Sequence, residues 1–370
     1  MKGQMDKIAL FYGGNSPENE ISILTALKVY EEMKKNGNEP LLVYIDFDNR
    51  FYSGKSLDDV KNYQNKKGFK KIKIIRKNDR NYISFINKKK SFDYAYILGH
   101  GINIEDGTLS SFFEMMNIPY LYDDLYNVSL LQDKSLSKKV FEKMGINTIN
   151  GVTIFRHEFN QFKSKNIRLN YPLIVKPSRL GSSIGVEMVS REKDLKKAVF
   201  EAFKYDETVI IEECISSKVE YNIALVGYQN KLFVSSLEKV NDENRILDFF
   251  SKYDYSKNNT KRIINPQMDI EIEKEIESTA KYLFEKLNLC GIYRFDFIHD
   301  LGENKVYLNE VNVLPGSLAY YLFESKDLKF IDLILIDINL KKKKYLERNK
   351  RQREYEPNFI KDFDISKVIK

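Results

Sequence analysis

GIYRFDFIHDLGENKVYLNEVNV, residues 291–313, has the pattern of two strands joined by a short polar turn. Side chains alternate between the two faces of a strand, so Arg294 and Asp296 share one face of the first strand. By the same alternation, Glu310 and Asn312 share one face of the second strand. If the strands pair across the turn, all four polar side chains lie on one side of an antiparallel hairpin. The segment therefore predicts a polar site built on a β-sheet.

The oxygen atoms of this polar site are suited to binding a metal ion. Asp296, Glu310 and Asn312 offer hard ligands of the kind that Mg²⁺ takes at about 2.0 to 2.1 Å. Proteins seldom surround Mg²⁺ completely, so three protein donors leave positions for phosphate oxygens and indicate a nucleotide. The alternative is that Asp296 pairs with Arg294 or a lysine, while the other two side chains face water. Spacing does not distinguish the two, but the backbone N–H of Gly316 follows closely and, beside Arg294, suits an oxyanion.

The composition predicts a large folded protein with a neutral body. The chain has 370 residues, of which 42% are apolar and 13% aromatic, enough for a sizeable core and two or three domains. Residues 341–370 hold 11 Lys and Arg against 5 Asp and Glu, whereas the rest of the chain holds 49 against 48. The basic run KKKKYLERNKRQR at 341–353 is typical of a solvated, frayed end; contact with nucleic acid or an acidic membrane is the alternative.

Cysteine content and apolar runs bear on the compartment. Cys214 and Cys290 have no CxxC spacing and no histidine cluster nearby, which argues against a disulfide framework or a zinc site. The apolar stretch near the start is too short for a signal peptide, and no apolar run approaches membrane-spanning length. We therefore expect a cytoplasmic protein without membrane insertion.

The first part of the chain alternates strands with helices. The apolar run KIALFY at 7–12 stops at Gly13–Gly14 and is followed by a helical pattern. Further strands are expected at 40–46 and 92–100, with a helix at 107–116. This alternation predicts a mostly parallel sheet, in which ligands bind at the carboxyl ends of the strands.

Glu18 and His100 fall at that ligand-binding edge. Taken alone, Glu18 is better explained as a charge in the first turn of a helix, and His100 as a packed histidine at a strand end.

From about residue 125 the pattern changes. YPLIVKPSRLGSSIGVEMV at 171–189 predicts two strands joined by a loop of glycine and serine, whose N–H and hydroxyl groups can cradle phosphate. The loop is not a Walker A motif, and a plain hairpin turn is the alternative. Lys176, five residues before the loop, favours phosphate binding because a buried strand lysine needs an anionic partner. Antiparallel strands at 220–240, a polar loop at 241–265 and a helix at 273–288 are expected next.

Eight stretches, in this order over residues 7 to about 324, resemble the D-alanine–D-alanine ligase family of ATP-grasp enzymes, which act in peptidoglycan synthesis. They are FYGGNSPENEISI, HGINIEDGTL, LLQDKSLSKKV, PLIVKPSRLGSSIGV, VIIEECI, DFFSKYDYS, YRFDF and NEVNVLPGSLAYYLF. The resemblance implies an α/β fold, with an N-terminal Rossmann-like parallel sheet domain followed by two α+β ATP-grasp subdomains. The implied divisions are a substrate-binding domain at 1–124, a central subdomain at 125–222, a C-terminal domain with the metal site at 223–345 and a basic tail at 346–370.

The resemblance also implies the site residues. The ATP-binding residues would be Lys134, Lys176, Ser182, Ser183, Glu212, Glu213, Ile215, Glu220 and Lys252. Asp296, Glu310 and Asn312 would hold two Mg²⁺ ions, for which Mn²⁺ can substitute. The catalytic residues would be Glu18, Ser183, Tyr253, Arg294 and Gly316. The substrate-binding residues would be His100, Ser317, Tyr321 and Leu322. A homodimer that takes ATP and D-alanine and binds no nucleic acid is the implied assembly.

Three positions depart from the family pattern. Leu180 stands where many members have glutamate, and Ile104 where glycine is common. Tyr321 stands where many members have a serine near the carboxylate of the second substrate, so another acceptor, such as D-serine, D-lactate or a different amino acid, is the alternative. Tyr253 argues against D-lactate. A nucleotide-binding protein without turnover, tethered by its basic tail, is a third hypothesis, which the retained polar set makes poor.

Overall fold

The computed structural model describes residues 6–229, 231–240 and 262–351. The strands before residue 125 are β1 (Ile8–Gly13), β2 (Leu41–Ile45), β3 (Phe51–Ser53), β4 (Lys70–Lys71), β5 (Lys73–Lys77), β6 (Arg80–Ser84), β7 (Lys89–Phe92), β8 (Tyr94–Ile97) and β9 (Tyr120–Leu121). The first sheet has the order β4–β3–β2–β1–β8–β9 and is parallel from β2 to β9. The strands β5, β6 and β7 form a separate antiparallel sheet, which the sequence analysis did not predict.

The predicted strand, turn and helix at the start of the chain are confirmed. Every residue of β1 is buried, as expected for a parallel strand covered on both faces. Gly13 and Gly14 have φ of 97° and 104°, and a Cβ on Gly13 would lie 2.2 Å from the Ile45 carbonyl oxygen. Only glycine permits this close approach. The helix α1 (Asn19–Lys35) begins shortly after this turn. The helix α2 (Thr108–Met115) follows β8.

The middle of the chain forms an antiparallel sheet with its own core. Its elements are α3 (Leu125–Gln132), α4 (Lys134–Lys143), β10 (Gly151–Phe155), β11 (Leu173–Pro177), β12 (Glu187–Val189), α5 (Glu192–Ala202) and β13 (Thr208–Glu213). The strand order is β10–β13–β11–β12. Leu195 and Val199 of α5 pack against Val175 and Ile211 of the sheet. The two strands predicted on either side of the glycine and serine loop are β11 and β12.

The last sheet contains the hairpin predicted at residues 291–313. Its surroundings comprise β14 (Lys218–Tyr228), β15 (Lys231–Val234), β16 (Glu238–Val240), β17 (Ile263–Ile264), α6 (Ile270–Lys286), β18 (Cys290–Asp300), β19 (Lys305–Asn312) and α7 (Phe330–Asn349). The order is β17–β16–β14–β18–β19, with β15 also paired to β14. In the register of β18 and β19, Asp296 lies opposite Glu310 and Arg294 lies opposite Asn312. The predicted hairpin is therefore confirmed.

The expectation of a frayed basic end is wrong for residues 341–349, which complete α7. Lys341 is buried and its Nζ lies 2.7 Å from Asp337. Farther along the helix, Lys344 pairs with Asp123. Lys341 pairs with a carboxylate of its own helix and Lys344 with one on the body of the protein, so this part of the helix packs instead of fraying. Residues 352–370 lie outside the described residues. Among the helices that are described, none is long and apolar enough to cross a membrane.

Candidate active site

A cavity of about 180 Å³ brings together side chains from distant parts of the chain. It lies where the start of α1, the loop after β8, the start of α4, the loop between β11 and β12, and the strands β14, β16, β18 and β19 meet. The predicted site residues that line it are Glu18, His100, Lys134, Ser182, Glu220, Arg294, Asp296, Glu310, Asn312, Gly316 and Tyr321.

The proposed metal ligands lie together on the hairpin. The Asn312 side-chain amide donates to Asp296 Oδ2 at 3.0 Å. Arg294 forms a bidentate pair with Asp296, in which Nε lies 2.7 Å from Oδ1 and Nη2 lies 2.7 Å from Oδ2. Glu310 is approached by Lys134, whose Nζ lies 3.2 Å from Oε2. The alternative of an Asp296–Arg294 pair is thus present in the structure, together with the clustering that a metal site needs.

These donors fit a divalent cation. Two carboxylates and an amide from neighbouring strands are oxygen ligands of the type that Mg²⁺ prefers, and each carboxylate contacts a protein cation that offsets its charge. Within the described ranges, no group of three or more His, Cys, Asp or Glu side chains could hold a metal ion by itself. A metal site here would also need the amide oxygen of Asn312.

Two lysines share one buried carboxylate below the glycine and serine loop. Lys176 Nζ lies 2.7 Å from Glu212 Oε2, and Lys138 on α4 pairs with Oε1. Burial opposes ionisation of Glu212, but the charges of Lys176 and Lys138 outweigh burial and hold its pKa below the usual value. Glu212 is therefore a counter-ion for two lysines. The sequence analysis did not single out Lys138, although it follows Lys134 by one helical turn and so lies on the same face of α4.

The loop after β11 reaches back to the start of α1. Ser182 Oγ donates to Glu18 Oε1 at 2.7 Å. Glu18 is buried, and its Oε2 has no hydrogen-bond partner among the described residues. Burial raises the pKa of Glu18. A Cβ on Gly181 would lie 2.7 Å from Glu18 Oε1, so glycine is what allows the loop to approach the carboxylate.

A second buried acid, Glu105, accompanies Glu18. Its Oε2 accepts a hydrogen bond from the backbone N–H of Gly101 at 2.8 Å. Burial, with a smaller contribution from the charge of Glu18, raises the pKa of Glu105 to about 8. Glu105 lies within HGINIEDGTL, but its local sequence predicts no role for it. Acidic residues in a turn are common, and only the fold shows that this one is buried beside another carboxylate.

Residues of α1 hold His100 and the segment after Gly316. Thr25 Oγ1 lies 3.0 Å from His100 Nε2 and accepts from the backbone N–H of Ser317 at 3.3 Å. Burial and the charge of Arg294 lower the pKa of His100 to about 4. His100 is thus a neutral imidazole within the site at physiological pH.

Comparison with known proteins defines the family. The family model described as D-ala D-ala ligase C-terminus matches residues 140–336, more than half of the chain, and the model for the D-ala D-ala ligase N-terminus matches residues 7–121. The chain belongs to the D-alanine–D-alanine ligase family.

Individual members of the ligase family agree over most of their length. A D-alanine–D-alanine ligase of Thermosipho melanesiensis is 33% identical over 344 residues, which cover 91% of this chain and 93% of that protein. The crystal structure of D-alanine–D-alanine ligase from Helicobacter pylori matches with a TM-score of 0.73 and 27% identity, covering 91% of this chain and 98% of that one. The VanG D-Ala:D-Ser ligase of Enterococcus faecalis matches with a TM-score of 0.76 and 26% identity, covering 91% and 100%. The resemblance and the fold class predicted from the sequence are confirmed.

Other predicted site residues of this ligase family member do not line the cavity. They are Lys176, Ser183, Glu212, Glu213, Ile215, Ser317 and Leu322. Glu213 accepts hydrogen bonds from the backbone and side chain of Asn170 at 2.8 and 2.9 Å. Glu220 lines the cavity and pairs with Lys218 at 2.5 Å. Lys252 and Tyr253 lie outside the described residues.

Proposed function

We propose that this protein is an ATP-dependent ligase that joins two D-alanine molecules and releases ADP and phosphate. Family membership over most of the chain supports this activity. The observation that carries it is the meeting of Asp296, Glu310 and Asn312 with Arg294 and Lys134 in one cavity. Such a cavity offers metal ligands, a phosphate-binding lysine and an oxyanion-binding arginine within a few side-chain lengths of each other.

The phosphate groups of ATP fit the lysines and the loop. Lys134, Lys176, Lys252, Ser182 and Ser183 would contact them. Asp296, Glu310 and Asn312 would hold two Mg²⁺ ions, or Mn²⁺ in their place, and these ions would offset the phosphate charge.

The base and sugar would lie at the end of β13. Glu213 and Ile215 would line the adenine pocket and Glu220 would bind the ribose. Glu212, assigned to the same pocket by the resemblance, is better placed to hold the phosphate-binding Lys176 through its 2.7 Å contact.

The first step is activation of one D-alanine. Glu18 would accept its ammonium group, and the neutral His100 would support the same substrate. A carboxylate oxygen of this D-alanine forms a bond to the γ-phosphorus of ATP as the bond to the bridging oxygen breaks, which gives an acyl phosphate and ADP.

The second step forms the peptide bond. The amine of a second D-alanine attacks the acyl carbon, and Arg294 with the Gly316 N–H would stabilise the tetrahedral oxyanion. Collapse of this intermediate breaks the bond to the phosphate oxygen, phosphate leaves and the amine loses a proton. Glu18, Ser183 and Tyr253 would form the hydrogen-bonded set around that amine, with Ser317, Tyr321 and Leu322 near the second substrate.

We also propose how the chain is divided into domains and how it assembles. The divisions 1–124, 125–222 and 223–345, followed by the tail at 346–370, would act as substrate domain, central subdomain, metal-binding domain and appendage. We further propose a cytoplasmic homodimer that takes ATP and D-alanine as its small-molecule substrates.

The decisive experiment is phosphate release from ATP with a panel of D-amino acids, L-amino acids and D-hydroxy acids, with products identified by mass. Release with D-alanine alone, giving the dipeptide, is the expected result. Release only with D-alanine plus D-serine or another acceptor would overturn the acceptor assignment, to which Tyr321 and the match to a D-Ala:D-Ser ligase draw attention. Absence of release with every substrate would overturn the ligase proposal.

A further inference from the structure

A buried carboxylate, Glu238, organises one wall of the cavity and has no role in the steps above. It lies at the start of β16 and is 1% exposed. Its Oε2 accepts hydrogen bonds from Tyr321 Oη at 2.9 Å and from the Asn222 side chain at 3.0 Å. Its Oε1 lies 3.4 Å from Arg262 Nε. Both oxygens of a buried acid are thus used to hold other polar side chains, an arrangement that fixes those side chains in place.

Arg262, which lies near Glu238, also contacts Tyr321. Its guanidinium carbon lies 4.6 Å from the centroid of the Tyr321 ring, within the range of a cation–π contact. Arg262 lines the cavity, and its side chain is 35% exposed. A guanidinium carries five N–H donors and suits the two oxygens of a carboxylate.

The position of this cluster relates it to peptide-bond formation. Arg262, Glu238 and Tyr321 line the same cavity as Arg294 and Gly316, the proposed oxyanion site. Burial and Glu238 raise the pKa of the Tyr321 hydroxyl, while the charges of Arg294 and Arg262 both oppose that rise. The two arginines therefore approach one tyrosine from within the same cavity.

An acceptor amino acid must place its amine at the acyl carbon, and its own carboxylate is then only two bonds beyond that amine nitrogen. Arg294 is already bound to both oxygens of Asp296, and Arg262 is the other arginine among the described residues that line this cavity. The Tyr321 hydroxyl donates to Glu238, and so it cannot donate the same proton to a substrate as a serine at this position would.

We propose that Arg262 binds the carboxylate of the acceptor amino acid, and that Tyr321 and Glu238 are positioning residues that hold its guanidinium toward the cavity. This assignment rests on the proposed ligase function and names the acceptor as an α-amino acid with a free carboxylate. Recognition by a charged hydrogen bond favours such an acceptor over one in which the carboxylate is blocked.

The test separates the two half-reactions. In Arg262→Gln, the KM for the acceptor should rise roughly 10- to 100-fold, the loss expected for a charge-assisted hydrogen bond. The first half-reaction is followed with ATP that carries heavy oxygen in the bridge between its β- and γ-phosphates. Scrambling of this label into the non-bridging oxygens of the β-phosphate requires only the first D-alanine, and it should be unchanged. Arg191→Gln, which removes an exposed arginine paired with Asp194 at 2.9 Å, is the matched control and should leave both measurements unaltered.

A second measurement uses D-alaninamide as the acceptor. The wild-type protein should prefer D-alanine over its amide, and Arg262→Gln should lose that preference while Arg262→Lys retains part of it. Tyr321→Phe keeps the ring under Arg262 but removes the bond to Glu238, so it should raise the acceptor KM without affecting oxygen scrambling.

Unchanged acceptor KM and unchanged preference for acid over amide in a folded Arg262→Gln protein would overturn this assignment. A wild-type protein that shows neither oxygen scrambling nor dipeptide formation would instead overturn the ligase proposal on which it rests. The two failures are therefore distinguishable.

Discussion

Lys134 Nζ lies 3.2 Å from Glu310 Oε2, so the lysine proposed to bind phosphate contacts a carboxylate proposed to bind the metal. Burial disfavours the charged lysine, but the nearby carboxylates of Glu310 and Glu18 outweigh it and raise the pKa of Lys134. The ammonium and a metal ion are alternative partners for one oxygen. Binding of ATP with its metal ions would therefore transfer Lys134 from Glu310 to phosphate.

Glu310→Gln should abolish this exchange and with it the metal site. We expect phosphate release to fall by at least about 100-fold, since loss of even an outer partner of a metal ligand can cost that much. The thermal unfolding midpoint should change little. The matched control is Glu303→Gln in the turn of the same hairpin, where the carboxylate contacts Tyr307 at the surface. Near-normal release from Glu310→Gln at saturating Mg²⁺ would refute the metal assignment.

Glu212→Gln should destabilise the middle of the protein. Removing the carboxylate leaves Lys138 and Lys176 close together without their shared counter-ion, and breaking a buried ion pair costs about 3 kcal/mol. Urea unfolding at pH 7 measures this loss. Because the pKa of Glu212 is lowered by folding, its contribution is present above the ordinary glutamate pKa of about 4.3 and is lost as the pH falls through the lower folded value.

The difference between wild type and Glu212→Gln should accordingly shrink in acid. Glu271→Gln, which alters an exposed pair with Lys274, provides the comparison and should cost less than about 1 kcal/mol. Equal stability of Glu212→Gln and wild type at pH 7 would contradict the counter-ion role.

Glu105→Gln should have the opposite dependence on pH. Folding raises the pKa of Glu105 to about 8, so the folded protein binds more protons than the unfolded chain between about pH 4.3 and 8. The contribution of Glu105 to stability therefore falls as the pH rises through that window. The variant should be similar to wild type near pH 5 and more stable by about 4 kcal/mol near pH 9. Unfolding free energies over this range, with the exposed Glu20→Gln as control, would reveal the difference, and parallel curves would rule out a protonated Glu105.

Gly181→Ala should separate the loop from the start of α1. The added Cβ would lie 2.7 Å from Glu18 Oε1 and would displace the loop that carries Ser182. A displacement of about 1 Å in a catalytic group can cost about 100-fold in rate, so kcat/KM for dipeptide formation should fall by up to that factor. Gly302→Ala, where the new Cβ would meet only the Asp300 side chain at 3.2 Å, should leave kcat/KM unaltered. A Gly181→Ala protein with full activity would show that contact between loop and helix is dispensable.

The sequence was most informative where local periodicity and site chemistry coincide. The alternation in residues 291–313 predicted both the hairpin and the shared face of Asp296 and Glu310, because a strand's period of two fixes side-chain direction. The strands β5 to β7 gave no such signal, since most of their residues are exposed or half-buried and alternate weakly. A sheet whose two faces are both partly exposed to solvent has little hydrophobic periodicity in its sequence.

Contacts between residues far apart in the chain could not be predicted from the sequence, for a different reason. Glu238 and Tyr321 are 83 residues apart, and nothing in either local pattern indicates that they meet. Charge counts likewise failed for the end of the chain: a run of lysines has the same composition whether water or buried carboxylates neutralise it. Lys344 meets Asp123 because α7 packs on the body of the protein, which is a tertiary contact.

The last helix also bears on the order in which the protein is made. Arg348 of α7 donates to Glu114 of α2 at 2.7 Å, and Lys344 of the same helix pairs with Asp123, so a segment synthesised late fastens parts of the chain that leave the ribosome early. Until α7 has emerged, a nascent chain lacks the partners that cover Tyr96 and satisfy its hydroxyl. The early sheet therefore stays incompletely covered until the chain has been translated through α7.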